Sequence, residues 1–194
     1  MLYDGFRIHR PSDVETENVI IGNTITITLG DAVKTTGGST GYAEPADAVA
    51  DEVYGIAVDF VDVDGFSYKT KTTNFDGTFT EAAAGDTYVS ASDNLTVKKI
   101  AVRIAIIGVN TVLSAKLSAA KGTTSGSDKV GTYYGVLTTN STQIGETTAT
   151  GTKSGNTAYM SVSGLASDNI TDPNIPDSTT RILVKCIRLQ SARS

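Results

Sequence analysis

Residues 23–29 (NTITITL) set Ile25, Ile27 and Leu29 against Thr24, Thr26 and Thr28. A period of two in β-branched residues fits a pleated strand with one apolar face, not a helix, whose faces repeat every 3.6 residues. The same period returns along the chain. Residues 53–63 (VYGIAVDFVDV) place Ile56, Val58 and Phe60 at alternate positions, and residues 100–106 do so with Ile100, Val102, Ile104 and Ile106. Residues 181–189 (RILVKCIRL) set Ile182, Val184, Cys186 and Arg188 against Leu183, Lys185, Ile187 and Leu189. Further strands are expected at 32–34, 66–73, 109–117, 130–137 and 158–162. Helical signals are few. Residues 45–52 (PADAVADE) would fit one turn entered at Pro45, and residues 112–120 suit a 3.6 period only as a second choice. The expected fold class is all-β: a compact β-barrel or β-sandwich with long Ser/Thr/Gly loops, an extended N-terminal arm and at most one or two short helices; residues 121–129 and 138–156 read as those long exposed loops or as irregular hairpins.

Turn chemistry punctuates this pattern. Gly30-Asp31, Asp64-Gly65 and Asp76-Gly77 read as tight turns, Gly108 as a bulge or a turn, and Pro173 and Pro176 break the chain before its last strand. Gly30-Asp31 and Gly85-Asp86 each follow a small or apolar residue and precede a short strand, a faint internal echo. The expected organisation is an arm over residues 1–18 followed by one β-rich domain over 19–194, with a subdivision near 108–110.

The opening eighteen residues (MLYDGFRIHRPSDVETEN) lack a sustained strand or helix period yet hold Leu2, Tyr3, Phe6 and Ile8. Four large apolar side chains in eight residues suit an arm that packs on something else rather than a solvated tail. An arm with unpaired backbone donors and acceptors can extend an exposed sheet edge, with alternate side chains adding specificity. Leu2, Tyr3, Phe6 and Ile8 are the expected anchors, and Arg7 and Arg10 the expected charge-assisted contacts.

Composition narrows the chemistry. The 194 residues carry a net charge of −5 and no cluster of Lys and Arg, so a nucleic-acid-binding stripe is not expected. Apolar runs are too short for a membrane span or a signal-peptide core, and a reducing cytoplasm is the expected place of assembly. A single cysteine excludes an internal disulfide, and a single histidine excludes a His-rich metal site. Asp59, Asp62, Asp64 and Gly65 resemble the start of a calcium loop, but Phe66 and Thr73 stand where further oxygen ligands would be needed, so a hairpin turn is the stronger reading. His9 has no nucleophile motif beside it, and Cys186 sits in an alternating apolar strand, where a thiol behaves as a small hydrophobe. Asn94, Asn140 and Asn169 begin N-x-S/T triplets that a chain rich in these residues produces by chance. Tyr133-Tyr134, read either as an exposed aromatic contact or as one ring in and one out, and paired carboxylates leave a glycan-binding or glycan-hydrolysing module open. The absence of tryptophan weighs against it. No catalytic residue, cofactor or metal is expected.

Gly30-Asp31-x-Val33, followed by a Gly-rich loop and then residues 48–58 (AVADEVYGIAV), resembles the small capsid decoration, or cement, proteins of tailed bacteriophages. Residues 85–89 (GDTYV) carry the same likeness more loosely, and nothing from Asn110 onward adds to it. The resemblance implies a β-barrel-like unit that forms a homotrimer on the virion exterior, at local three-fold positions of the expanded shell. Its partner there would be the major capsid protein, reached in part by an N-terminal arm that adds to a capsid strand. A phage tail, baseplate or head-fibre protein is the alternative; such a role would want a longer repeated shaft. A bacterial surface or pilus subunit would want a secretion signal.

Overall fold

A computed structural model describes residues 5–8, 14–36, 41–46, 51–68, 71–73, 79–81, 87–117, 133–137, 140–146, 160–165, 181–186 and 189–190. Those residues are mostly β, as the alternation required, with one short helical element. In chain order the strands are β1 (Arg7–Ile8), β2 (Thr16–Ile20), β3 (Thr26–Thr28), β4 (Ala32–Thr36), β5 (Tyr42–Pro45), β6 (Gly55–Val61), β7 (Lys71–Thr73) and β8 (Phe79–Glu81). They continue with β9 (Thr87–Val89), β10 (Ala101–Ile106), β11 (Val112–Leu117), β12 (Tyr133–Leu137), β13 (Asn140–Glu146), β14 (Met160–Leu165) and β15 (Arg181–Cys186). One π-helical turn, Asn94–Lys98, precedes β10.

Two sheets make the body. The first is antiparallel throughout, in the order β2-β10-β6-β4-β5. Its edges curl towards each other, because Ile21 just beyond β2 bridges Ala43 of β5 and the Gly22 N–H donates to the Ala43 carbonyl at 3.1 Å. The second runs β1-β11-β13-β12-β14-β15, with β15 also pairing β11. The β3–β9 and β7–β8 pairs stand as two-stranded units. The strands therefore divide over separate sheets, and no single closed barrel is formed among the described residues. It crosses from the first sheet to the second at a turn near Gly108, where the Gly108 N–H donates to Thr111 Oγ1 at 2.9 Å and the Thr111 N–H returns to the Gly108 carbonyl at 3.0 Å.

Two apolar clusters hold this arrangement. One lies inside the curled first sheet and gathers Val19, Ile21, Ile27, Leu29, Val33, Phe60, Val102 and Ile104. The other lies where the sheets meet, joining Ala32, Ile56 and Ile107 to Leu113, Ala115, Val184 and Cys186. Strand β4 serves both, Ala32 on one face and Val33 on the other, as the pleat requires. The expected alternation of Ile56, Val58 and Phe60 is broken. Arg103 pairs Asp59 while Ile104 pairs Ala57, so Val58 is an extra residue in β6. That bulge puts Ile56 in the inter-sheet cluster and Phe60, with Ala57, in the other.

The opening segment is the largest departure from the expected arm. Phe6 is fully buried in the inter-sheet cluster, Ile8 packs against it, and β1 pairs β11 with Arg7 opposite Ser114 and Ile8 opposite Leu113. Thr16, Glu17 and Asn18 belong to β2, paired with β10. The physical reason is a backbone approach at Gly5. A Cβ there would lie 2.6 Å from the Gly30 Cα, and only this contact lets the Phe6 N–H reach the Gly30 carbonyl at 2.9 Å and the ring drop into the core. Phe6 and Ile8, expected to pack on a partner, thus pack on the chain itself, and Leu2 and Tyr3 lie outside the described residues.

Other expectations shift in smaller ways. Pro45 ends edge strand β5 opposite Val33, where a missing N–H is tolerated; residues 47–50 of the turn expected at 45–52 lie outside the described residues. Among the described residues of the returning strand expected at 66–73, Ser67 bridges Val61, and Lys71–Thr73 pairs β8 across the segment that holds Asp76-Gly77, itself outside the described residues. Of the stretch at 138–156, expected as a long loop or an irregular hairpin, residues 140–146 form β13, which pairs antiparallel with β12 through an irregular register and parallel with β11, as the hairpin reading has it; residues 147–156 lie outside the described residues. Residues 112–117 are strand, not helix. Gly85-Asp86 lies outside the described residues, and the strands after the two Gly-Asp pairs occupy different places: β4 is inside the first sheet, whereas β9 pairs only β3.

Candidate interaction surface

The turn after β6 is built by one side chain. The Asp62 carboxylate accepts from the backbone N–H groups of Asp64 and Phe66, both at 3.0 Å. The Gly65 N–H donates to the Asp62 carbonyl at 3.0 Å, and the Asp62 N–H to the Phe66 carbonyl at 2.9 Å. Below the turn Arg103 reaches across from β10. Its guanidinium meets Asp59 at 3.3 Å and the Gly65 carbonyl at 3.2 Å. Ser67 donates to Asp59 at 2.9 Å, and the Tyr68 N–H donates to the Phe60 carbonyl. Backbone and side-chain bonds therefore fix every residue from Asp62 to Tyr68 except Val63, which they enclose.

Apolar side chains stand on this frame. Phe66 is 72% exposed and Val63 64%. Tyr68 stacks edge-on against Tyr88 of β9 at 5.6 Å, and Tyr88 in turn meets buried Phe60 at 5.5 Å, so an aromatic series runs from the core to the surface. Burial pushes the Tyr88 phenol above its ordinary value of 10.0, with the Tyr68 charge adding to the rise. Elsewhere Lys34 bridges Asp51 at 2.6 Å and Glu44 at 3.1 Å. Burial alone would lower its ammonium, but the hydrogen bonds and charges of those two carboxylates outweigh it and raise it above 10.5.

The residues singled out in the sequence are thereby placed. Asp59 and Asp62 bind Arg103 and backbone amides, as a hairpin turn needs, and no group of three metal-ligating side chains occurs among the described residues. Cys186 is buried in the inter-sheet cluster. Asn94 is fully buried, its amide donating to the carbonyls of Ile21 at 2.6 Å and Ile100 at 2.9 Å and accepting from the Ile100 N–H at 3.1 Å, so its triplet marks a structural amide. Asn140 lies in β13, and Asn169 falls outside the described residues. Tyr133 and Tyr134 lie in β12, opposite Ser161 and Met160. Of the expected arm contacts, Phe6 and Ile8 are internal, the Arg7 backbone is in β1, and Leu2, Tyr3, Arg10 and also His9 lie outside the described residues.

Val63 and Phe66 were not singled out. Only a partial signal was present: turn positions are ordinarily polar, and here large apolar residues flank Asp64-Gly65, but the alternation assigns both to the strands of a hairpin, where they would be covered. The fold and this surface define an all-β protein in which Asp59, Asp62 and Asn94 serve the framework of the chain itself. No protein family, no curated protein and no solved structure matches the chain.

Proposed function

We propose that this chain is a structural protein without catalytic activity, a decoration protein that binds the outside of a tailed-phage head as a trimer and ties neighbouring major capsid subunits together. The observation that carries the reading is a division of roles among the described side chains. Asp59, Asp62, Asn94 and Arg103 are tied into a turn, an ion pair and a buried amide network, while large apolar side chains stand out on a fixed turn. Such a surface suits contact, not turnover. The resemblance of Gly30-Asp31-x-Val33 and residues 48–58 to decoration proteins supports it further, as does the all-β body.

In this reading Leu2, Tyr3, Arg7 and Arg10 remain candidate capsid contacts, and Phe6 and Ile8 do not, because they fill the chain's own core. Three copies acting together raise avidity by about a hundred- to ten-thousand-fold over one. The protein assembles in the host cytoplasm and resides on the virion exterior, with no cofactor, nucleic acid or membrane involved. The test is to mix purified protein with purified expanded heads of the phage that carries the gene and image them by electron cryomicroscopy. Extra density at local three-fold positions is expected, and bare heads at saturating protein would overturn the proposal.

A further inference from the structure

We infer that the Val63–Phe66 turn is itself a docking knob, and that it inserts into an apolar socket rimmed by Lys or Arg on the outer surface of the shell subunit. The inference rests on the decoration reading above and specifies which surface of the chain does the gripping. Three observations carry it. First, Phe66 is 72% exposed and Val63 64%, on a five-residue turn that protrudes beyond the Val61–Ser67 bridge. Aromatic anchors entering pockets are the residues that dominate protein interfaces.

Second, the knob is rigid before it meets anything. The Phe66 backbone is bonded to Asp62 in both directions, at 3.0 Å through the Asp62 carboxylate and at 2.9 Å through the Asp62 N–H. Gly65 is held from outside the turn by Arg103 at 3.2 Å. A preformed loop loses little conformational freedom on binding, so more of the gross contact energy survives as affinity.

Third, the charge pattern selects the partner. Asp62 precedes Val63 and Asp64 lies between Val63 and Phe66; among the described residues no cation pairs with either carboxylate, although Asp62 accepts from two backbone amides, whereas Asp59 is matched by Arg103. An apolar knob framed by two carboxylates complements a socket framed by cations. The same pattern disfavours a second copy as the occupant, since the chain carries a net charge of −5.

The experiment is quantitative binding of the full chain to purified expanded heads, by cosedimentation at two salt concentrations. Phe66→Ser should weaken binding about thirty-fold, the loss typical of a buried aromatic anchor. Asp64→Lys should weaken it several-fold at low salt and less at high salt, because the rim attraction is screened. Val109→Ser, which removes an equally exposed apolar side chain (71%) outside the knob, should bind as the wild type does. All three variants should keep the wild-type unfolding midpoint, since none of the replaced side chains is buried.

Failure of the wild type to bind heads would sink the decoration reading and the knob together. Wild-type binding with Phe66→Ser unchanged would sink the knob alone. Equal losses for Phe66→Ser and Val109→Ser would reduce the effect to general surface apolarity and also overturn it. Unchanged or tighter binding by Asp64→Lys would refute the basic rim. A shift in oligomeric state with Phe66→Ser, read by analytical ultracentrifugation, would assign the knob to a second copy and overturn the proposed occupant.

Discussion

Phe6→Ala tests whether the leading segment belongs to the fold or to a partner. The ring has no solvent exposure and sits with Ile56, Leu113 and Val184 at the junction of the two sheets. Burying a Phe side chain stabilises a fold by about 1.5–3 kcal/mol through removal of apolar surface from water. Truncation to Ala also leaves a cavity, which brings the expected loss to about 3–5 kcal/mol. For a chain of this size each kcal/mol lowers the thermal midpoint by about 2–4 °C, so a fall of about 6–20 °C is expected. Urea unfolding at 25 °C gives the free energy directly, and Phe66→Ala provides the contrast. That ring is 72% exposed, and its removal should change stability by no more than about 0.5 kcal/mol. A Phe6→Ala variant within about 1 kcal/mol of wild type would refute the packing argument and return residues 5–8 to the status of an unattached arm.

Three further substitutions probe the framework. Asn94→Ala leaves the Ile21 and Ile100 carbonyls and the Ile100 N–H without their partner in a buried site, and urea unfolding should record a loss of about 2–4 kcal/mol. In Gly55→Ala the new Cβ would lie 2.3 Å from the Ala105 carbonyl oxygen of the neighbouring strand, so β6 and β10 must separate locally, with an expected loss of about 1–3 kcal/mol in the same assay. Stability should also fall at alkaline pH. The Tyr88 phenol and the Lys34 ammonium both titrate above their ordinary values of 10.0 and 10.5 in the folded chain, so the unfolded chain releases those protons first. Their contribution is complete below pH 10.0 and disappears as pH rises through the folded values; Tyr88→Phe should flatten the fall between pH 9 and 11 in denaturant titrations, and an unchanged slope would contradict the assignment.

The sequence disclosed elements whose apolar pattern is self-sufficient. Val102 and Ile104 in β10, Val184 and Cys186 in β15, and the turn at Asp64-Gly65 all followed from local period and turn chemistry. What it concealed depends on distant partners. β1 is two residues long and exists because Gly5 can approach Gly30 and because β11 offers an edge, neither of which leaves a mark between residues 1 and 18. β13 (NSTQIGE) has one aliphatic residue, Ile144, and is a strand because β12 and β11 flank it. The split of Ile56 from Phe60 follows from a one-residue bulge at Val58, which no alternation rule anticipates. The surface was half legible: the turn was expected, whereas the exposure of Phe66 required knowing that the return pairing is a bridge at Ser67 that leaves the ring outside it.

The two phenylalanines also decide how such a chain can grip a neighbour at least cost. Withdrawing residues 5–8 to lend Phe6 to a capsid strand would first forfeit about 3–5 kcal/mol of folding energy, since the vacated site lies at the junction of both sheets. A partner that binds only the withdrawn state sees its affinity reduced by the rarity of that state, here about a hundred- to several-thousand-fold. Phe66 carries no such penalty. It is already exposed, its backbone is fixed by Asp62, and a socket that covers it gains the burial of an aromatic ring without unmaking anything. A binding mode that keeps Phe6 inside and uses Phe66 outside therefore outcompetes one that extracts the leading strand. The double variant Phe6→Ala/Phe66→Ser should accordingly lose stability through the first change and capsid affinity through the second, with the two effects additive because the sites share no partner.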